Sequence, residues 1–458
     1  MPLTEPTALD LRDALRRREV TATELAEAAL ARIAERPDLG AFVSVNAELA
    51  LADAARADAR MHAAADPRDL PPLTGLPTAH KDLVDVLGFG TTHGSRAVPH
   101  RLADSDDPIA AAVRAAGAIT LGKTQVPEFG IAGYSENSLA APAANPFDTS
   151  LTAGGSSGGT AAAVAAGLIP AAIGSDAGGS IRIPAAACGL VGLKPSRGTI
   201  PADRFRGATD PAGAPTMGVS GPIARTARDA ALFFDAILGG HGEPTLASVN
   251  RAEDLRGLRI GVSLASPFEE WVEIGFSPEA HAAVAAGAAA LEAAGHHVEA
   301  AAIHYEPQYP EAFTTVWTAG LGRIEFAPGG EELLGDLARM FLERARRTSP
   351  EALGIAVEGL RSFAESATRQ WARYDVVLTP ALATLPPALG AFTALGPEGD
   401  YRLQCQWAPQ TSMVNVAGLP AVTAPTHWTA AGLPMGVQLI GRPGNEAQLL
   451  QLAEQLMR

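Results

Sequence analysis

The chain has 458 residues, 47% of them apolar, and a formal net charge of −15. This acidic balance argues against a nucleic-acid partner, which would require a basic face, while the length allows a large hydrophobic core. We expect no membrane partner, because no apolar run is long enough to span a bilayer and the first residues contain no apolar signal segment. The two cysteines, Cys188 and Cys405, predict no disulfide framework and a cytoplasmic location.

The first 65 residues have the pattern of two or three helices. Thr21 and Glu24 are spaced as a capping box ahead of an apolar-periodic segment, and a second such segment follows a short extended stretch. We predict that these helices pack against the rest of the chain and carry no chemistry.

A literal P-loop pattern, GxxxxGKT, runs from Gly117 to Thr124. A nucleotide-binding P-loop needs a flexible interior and a helix that starts at the lysine. Here the interior, AITL, has the composition of a strand, and Pro127 interrupts any helix after Lys123. We predict a strand followed by a loop, and a P-loop nucleotide-binding protein is a remote alternative.

Two glycine-serine turns follow, GGSSGG at residues 154–159 and DAGGS at residues 176–180, with an apolar segment between them. Paired glycines are costly to order, so a chain uses them where the backbone must bend or approach something closely. In the second turn, a serine could attack a carbonyl while converging backbone N–H groups hold the developing oxyanion. These groups belong to Ala177, Gly178, Gly179 and Ser180. A phosphate site or a plain tight turn is the alternative for either turn alone, and the pair favours catalysis.

Lysine is rare in this chain. Only Lys81, Lys123 and Lys194 occur among 35 basic residues. A position that keeps lysine in an arginine-rich sequence is a candidate for an amine that must lose its proton, which arginine practically cannot do. A nucleophilic serine needs a base. A distant histidine is left open, but Lys81 and Ser156 can act as base and proton relay, since burial among small residues lowers a lysine pKa.

Residues 241–370 show helices and aromatic-bearing loops without a chemical motif. His296, His297 and His304 lack accompanying cysteines or carboxylates, so they predict no metal, and we expect no cofactor. Beyond them, YDVVLTP predicts a buried strand, LPAVTAP and MGVQLIG predict paired strands, and NEAQLLQLAEQLMR predicts a closing helix. Without a repeat or a clear linker, we predict one α/β domain over residues 1–458. It comprises a core at 66–240, a variable lobe at 241–370, and C-terminal strands with the closing helix at 371–458.

These motifs together resemble the amidase signature family. The core of the resemblance is GGSSGG followed by GSDAGGSIRIPA, and GLPTAHKD, GLKPSRGTIP, GPIARTARDAALFFDA, YDVVLTP and GLPMGVQLIGRP are similar to its supporting motifs. The resemblance covers residues 70–240 densely and 372–458 more loosely. It implies a large mixed, twisted β-sheet covered by helices on both faces, and a hydrolase that cleaves amide C–N bonds through a serine acyl-enzyme.

By motif position, the resemblance implies that Ser180 is the nucleophile, Ser156 the serine after a cis peptide, and Lys81 the base. It implies an oxyanion hole formed by residues 177–180. The resemblance also implies that Ser157, Asp176 and Arg182 support the geometry of these catalytic residues. One departure is Ala153, where many members carry proline, and it affects no catalytic residue.

The substrate pocket is expected in loops outside these motifs, at residues 128–138, 265–330 and 385–412. They supply the aromatic residues Phe129, Tyr134, Trp271, Trp317 and Trp407. Aromatic walls with few cations favour a small neutral aryl or alkyl amide over a free carboxylate such as glutamine, with esters and carbamates also acceptable. The alternative is the glutaminase subunit of a tRNA-dependent amidotransferase. The expected partner is thus a small-molecule amide, and the sequence leaves a homodimer open.

Overall fold

The computed structural model describes residues 5–240 and 242–458. Within them, eleven strands form one mixed sheet and two short strands form a separate hairpin. The strands are β1 (Phe42–Val45), β2 (Pro77–Lys81), β3 (Ile119–Thr124), β4 (Ala144–Asn145), β5 (Asp148–Thr152), β6 (Ala171–Asp176), β7 (Val191–Lys194), β8 (Val219–Ala224), β9 (Arg259–Val262), β10 (His297–Ala300), β11 (Val376–Pro380), β12 (Ala421–Trp428) and β13 (Pro434–Ile440).

Fifteen α-helices surround the sheet in the described part of the chain. They are α1 (Ala8–Arg16), α2 (Ala22–Glu35), α3 (Ala47–Ala63), α4 (Pro108–Ala115), α5 (Gly158–Ala165), α6 (Arg182–Ala187), α7 (Ala227–Leu238), α8 (Pro244–Val249), α9 (Pro278–Ala293), α10 (Tyr309–Ala319), α11 (Asp336–Arg347), α12 (Pro350–Trp371), α13 (Gly396–Trp407), α14 (Ser412–Ala417) and α15 (Glu446–Leu456). None of these helices combines the length and the apolarity that crossing a membrane would require.

The strand order is β1-β3-β2-β6-β8-β7-β12-β13-β11-β9-β10. Strand β2 runs parallel to β3 and β6, and β9 runs parallel to β10 and β11. The strands between β6 and β11 pair antiparallel. The sheet is therefore mixed, as the sequence predicted, and β2 and β6 are neighbours that end side by side.

Helices cover both faces of the sheet. Successive side chains of a strand point to opposite faces, so neighbouring residues of one strand contact different helices. On β13, Gln438 faces α6 and bonds Arg182 there, whereas Leu439 packs into the hydrophobic core that also contains Leu449 and Leu452 of α15. Strands β2, β3, β7, β8, β11 and β13 are buried along their whole length. Burial on both faces explains why most residues of these strands are apolar or small, although β2, β3 and β7 each contain a lysine.

Two expectations from the sequence can be compared with these elements. The predicted N-terminal helices are α1 to α3, and Thr21 caps α2 in a capping box with Glu24. Strands β9 and β10, inside residues 241–370, extend the main sheet at one edge. Residues 241–370 are therefore not a separate lobe throughout, because β9 and β10 belong to the main sheet.

The P-loop alternative is wrong. Residues 119–124 form β3, which pairs with β1 on one side and β2 on the other. The Nζ of Lys123 donates to the Asp82 carboxylate at 3.0 Å and to Thr91 Oγ1 at 2.9 Å, with no exposed surface. No helix starts at Lys123, so nothing presents this lysine to a phosphate.

Candidate active site

Lys81 is the last residue of β2, and its ammonium lies against the first glycine-serine turn. Only 2% of Lys81 is exposed. Its Nζ donates to Ser156 Oγ at 2.7 Å, to Ser175 Oγ at 3.1 Å and to the Ser175 carbonyl at 3.2 Å. The structure thus brings together the two residues that the sequence proposed as base and relay, although they are 75 positions apart.

Burial lowers the pKa of Lys81 to about 7, against a smaller opposing effect of the Asp176 carboxylate. An amine with this pKa is largely neutral just above pH 7 and can accept a proton there. A general base works best when its pKa lies near the operating pH. The environment of Lys81 therefore suits a base rather than a structural cation.

Ser156 and Ser157 lie in a turn held tightly by the backbone around it. The Gly155–Ser156 peptide bond is cis. A Cβ at Gly155 would lie only 2.4 Å from the Tyr134 carbonyl oxygen, so only glycine fits. Ser157 donates its N–H to the Ser180 carbonyl at 3.2 Å and its hydroxyl to the Ser175 carbonyl at 3.4 Å. Through Ser157 the two glycine-serine turns are tied together.

The second turn follows β6, and Ser180 lies in it with 7% of its surface exposed. The N–H of Gly179 donates to the Asp176 carboxylate at 2.8 Å. The backbone N–H groups of Ala177, Gly178 and Ser180 have no acceptor among the described residues. The predicted oxyanion hole is therefore reduced from four N–H groups to three, because Gly179 is engaged in holding the turn.

Asp176 and Arg182 form a buried ion pair beneath this turn. The guanidinium donates to both carboxylate oxygens, at 2.9 and 3.0 Å, and both residues have no exposed surface. Burial alone would raise the pKa of Asp176, but the charge and hydrogen bonds of Arg182 outweigh it and hold that pKa below its ordinary range. Asp176 also accepts from the N–H groups of Gly179 and Ile181. Its charge thus organises the backbone of the turn.

Three residues of this network were not anticipated from the sequence: Thr411, Asn415 and Gln438. Asn415 Nδ2 donates to Asp176 Oδ1 at 2.9 Å, and Gln438 Oε1 accepts from Arg182 at 2.6 Å. The Thr411 carbonyl accepts from Arg182 at 2.9 Å. All three come from the C-terminal part of the chain, so no local pattern connects them to the turn.

A cavity of about 60 Å³ opens over Ser180. Trp317, one of the five predicted pocket aromatics, lies in its wall, together with Phe313 one helical turn earlier on α10 and with Phe268. No residue that lines this cavity carries a formal charge. Its lining comprises Ile131, Ala132, Gly133, Gly178, Ser180, Ile183, Phe268, Phe313, Trp317, Tyr401, Gln404, Cys405, Ala408, Thr411 and Ser412.

The other predicted aromatics lie elsewhere. Trp407 is a core residue, 2% exposed, whose indole N–H donates to the Thr384 carbonyl. Trp271 packs behind Tyr401, with ring centroids 5.6 Å apart, and borders a different surface cavity. Phe129 packs edge-on against Phe326. Tyr134 lines a cavity next to the one over Ser180.

That neighbouring cavity has a volume of about 360 Å³ and shares Ile131 and Ala132 with the cavity over Ser180. Four carboxylates line it, and none of its lining residues is lysine or arginine. Burial raises the pKa of three of the four, those of Glu128, Glu136 and Asp400. The fourth is Asp336. We call this space the acidic cavity.

The remaining buried lysine, Lys194, donates to the Pro195 carbonyl at 2.8 Å. Burial, reinforced by the nearby charge of Arg182, lowers its pKa to about 7 as well. Lys194 has no hydrogen bond to either glycine-serine turn, although its charge acts on the Asp176 carboxylate of the second turn.

We expect amide hydrolysis to fall as the pH drops below about 7, because protonated Lys81 cannot accept a proton. A profile of kcat/KM from about pH 5 to pH 9 checks this for a neutral substrate. Since Lys194 has a similar pKa, the profile is repeated with Lys194→Met. An acid limb that persists in this variant belongs to Lys81, whereas its disappearance, or a rate independent of pH, contradicts the assignment.

Known proteins resemble this chain over nearly its whole length. A family model described as Amidase matches residues 24–450. A putative amidase from Synechocystis sp. is 34% identical over 98% of this chain and 88% of its own length. One component of the glutamyl-tRNA(Gln) amidotransferase from Ralstonia nicotianae is also 34% identical, over 98% of this chain and 97% of its own. The structure of 6-aminohexanoate cyclic dimer hydrolase complexed with substrate has a TM-score of 0.84, with 29% identity over 98% of this chain and 96% of that one.

Proposed function

The chain belongs to the amidase signature family and is an enzyme that hydrolyses amide C–N bonds, and on this premise we propose that its substrates are small neutral aryl or alkyl amides. One observation carries the proposal. Ser180 lies in the wall of a cavity that has aromatic side chains and no formal charge. Such a cavity suits an apolar group beside the reacting carbonyl and offers no cation to a free carboxylate.

In the mechanism we propose, neutral Lys81 accepts the Ser156 proton while Ser156 accepts that of Ser180. Ser180 then attacks the amide carbon, and the N–H groups of Ala177, Gly178 and Ser180 hold the oxyanion. The proton returns through Ser156 to the leaving amine, which departs. Water repeats the cycle on the acyl-enzyme and releases the acid. The 2.7 Å contact between Lys81 and Ser156 supports the first transfer.

The aromatic wall over Ser180 supports an aryl or alkyl group on the substrate. The rings of Phe313 and Trp317 stack with centroids 5.5 Å apart, and Phe268 meets Phe313 edge-on at 6.0 Å. A flat or flexible apolar group can pack against these faces. Esters and carbamates present the same carbonyl to the three N–H groups, so we include them as further substrates.

A glutaminase subunit is the second candidate, supported by the relative from Ralstonia nicotianae. Glutamine is a zwitterion at neutral pH, with an α-carboxylate that needs a cation and an α-ammonium that needs an anion. The acidic cavity supplies anions, but neither it nor the cavity over Ser180 is lined by arginine or lysine, and Arg206 borders a separate cavity beside Lys81 and Ala177. The lack of a cation for the α-carboxylate in these two adjoining cavities favours the neutral amide.

We expect the purified protein, without a partner, to hydrolyse a neutral anilide with a kcat/KM at least about tenfold above that for glutamine, which corresponds to about 1.4 kcal/mol. Steady-state kinetics on both substrates measure this. A clear preference of the wild-type protein for glutamine would instead support the glutaminase subunit.

A further inference from the structure

The peptide between Gly178 and Gly179 is held at both ends. Thr411 Oγ1 donates to the Gly178 carbonyl at 2.7 Å, and the Gly179 N–H donates to Asp176 at 2.8 Å. A peptide flanked by two glycines has little conformational preference of its own. Its orientation therefore depends on these two partners, of which Thr411 lies 233 positions away in the sequence.

These hydrogen bonds close into a ring. The Thr411 carbonyl accepts from Arg182, Arg182 pairs with Asp176, and Asp176 accepts the Gly179 N–H. At most 1% of Thr411, Asp176 or Arg182 is exposed. Hydrogen bonds in such a water-free setting are stronger than at a surface and reinforce one another. Thr411 is the only member of the ring that fixes the carbonyl end of the peptide.

The peptides on either side of Gly178–Gly179 carry the N–H groups of Gly178 and Ser180. Rotation of the middle peptide would turn both neighbours, because they share its Cα atoms. The fit is close: a Cβ at Gly179, whose φ is +130°, would lie 2.5 Å from Thr411 Oγ1. Thr411 thus touches the peptide whose orientation sets the direction of the Gly178 and Ser180 N–H groups, and both of these residues line the cavity over Ser180.

We propose that Thr411 is a positioning residue for amide hydrolysis, whose hydroxyl holds the Gly178–Gly179 peptide so that the Gly178 and Ser180 N–H groups point at the oxyanion. The proposal rests on the serine mechanism above but not on the preferred substrate. It predicts an effect on the transition state, where the oxyanion carries charge, and little effect on substrate binding.

The test replaces Thr411 by valine, which keeps the shape and removes the donor. Loss of a direct oxyanion-hole donor lowers kcat by about 10²–10³-fold, so loss of its support should lower kcat by about tenfold or more with KM changed by less than about threefold. Thr411→Ser keeps the hydroxyl and should restore kcat to within about threefold of wild type. Thr318→Val is the matched control, because this buried hydroxyl bonds the Thr314 and Thr315 carbonyls of its own helix.

A second readout uses phenylboronic acid, which forms a tetrahedral adduct with an active serine and needs no turnover. Its affinity should fall in Thr411→Val in parallel with kcat and return in Thr411→Ser. If valine is not tolerated by the fold, Thr411→Ala provides the same comparison. The proposal is overturned by unchanged boronate affinity, by a change in KM alone, or by a serine variant as slow as the valine variant. A wild-type protein that neither turns over amides nor binds the boronate would contradict the serine mechanism instead.

Discussion

Replacement of Ser180 by alanine is expected to abolish amide hydrolysis, lowering kcat by about 10⁴-fold or more, while the protein stays folded. The substitution removes one hydroxyl, and the turn keeps the hydrogen bonds that Asp176 makes to its backbone. Initial rates on a neutral anilide, with the folded fraction taken from circular dichroism, measure the effect. No covalent intermediate can form without this oxygen, so little activity should remain.

The control for this experiment is Ser349→Ala, which removes a hydroxyl whose hydrogen bond caps α12 and should leave kcat unchanged. Ser156→Ala should be severe but less complete, since a water can partly replace the relay. Near-normal turnover by correctly folded Ser180→Ala would show that the nucleophile is another group.

Replacement of Lys81 by arginine is expected to be as damaging as replacement by alanine, with a loss of about 10³-fold or more in kcat. A guanidinium stays charged at any pH that the protein tolerates, so it cannot accept the Ser156 proton. Alanine removes the amine altogether, and both variants therefore lack a base. Steady-state kinetics of the two variants on one neutral amide check this equality.

The other two lysines provide matched controls. Lys123→Arg keeps the charge opposite Asp82, and Lys194→Arg keeps the charge that acts on Asp176 at a residue without a hydrogen bond to either glycine-serine turn. Activity per folded molecule should stay within about tenfold of wild type in both, since each is a buried lysine with no step to perform. If Lys81→Arg retained normal turnover, the base would be a different residue.

The catalytic residues at the centre of the site could be predicted because they lie in short local motifs. Paired glycines beside serines identify the turns around Ser156 and Ser180, and the scarcity of lysine leaves three candidates for the base, of which the family resemblance selects Lys81. Strand β6, which ends at this site, begins in a short apolar segment, whereas β2 mixes small and charged residues, and the mixed sheet was implied by the family resemblance. In both glycine-serine turns, the local conformation is determined by residues that are adjacent in the sequence.

The supports of the site could not be predicted in the same way. Thr411 and Gln438 reach Arg182 only because β12 lies next to β7 in the sheet and β13 lies next to β12, an order that no local pattern encodes. The positions of the aromatic residues in the fold could not be predicted from local sequence either. Trp407 and Trp317 look alike in the sequence, yet one fills the core and the other borders the cavity over Ser180. Composition predicts that aromatic residues are present and does not say which space they face.

The burial of all three lysines has a consequence for the chemistry of the folded surface. Lys81, Lys123 and Lys194 are each at most 2% exposed, and the remaining basic residues are arginines. Reagents that acylate side-chain amines, such as succinimidyl esters, therefore meet no lysine on the folded protein. Global unfolding uncovers all three amines at once. The extent of lysine acylation in a short pulse of reagent thus reports the unfolded fraction of this protein, without any introduced probe.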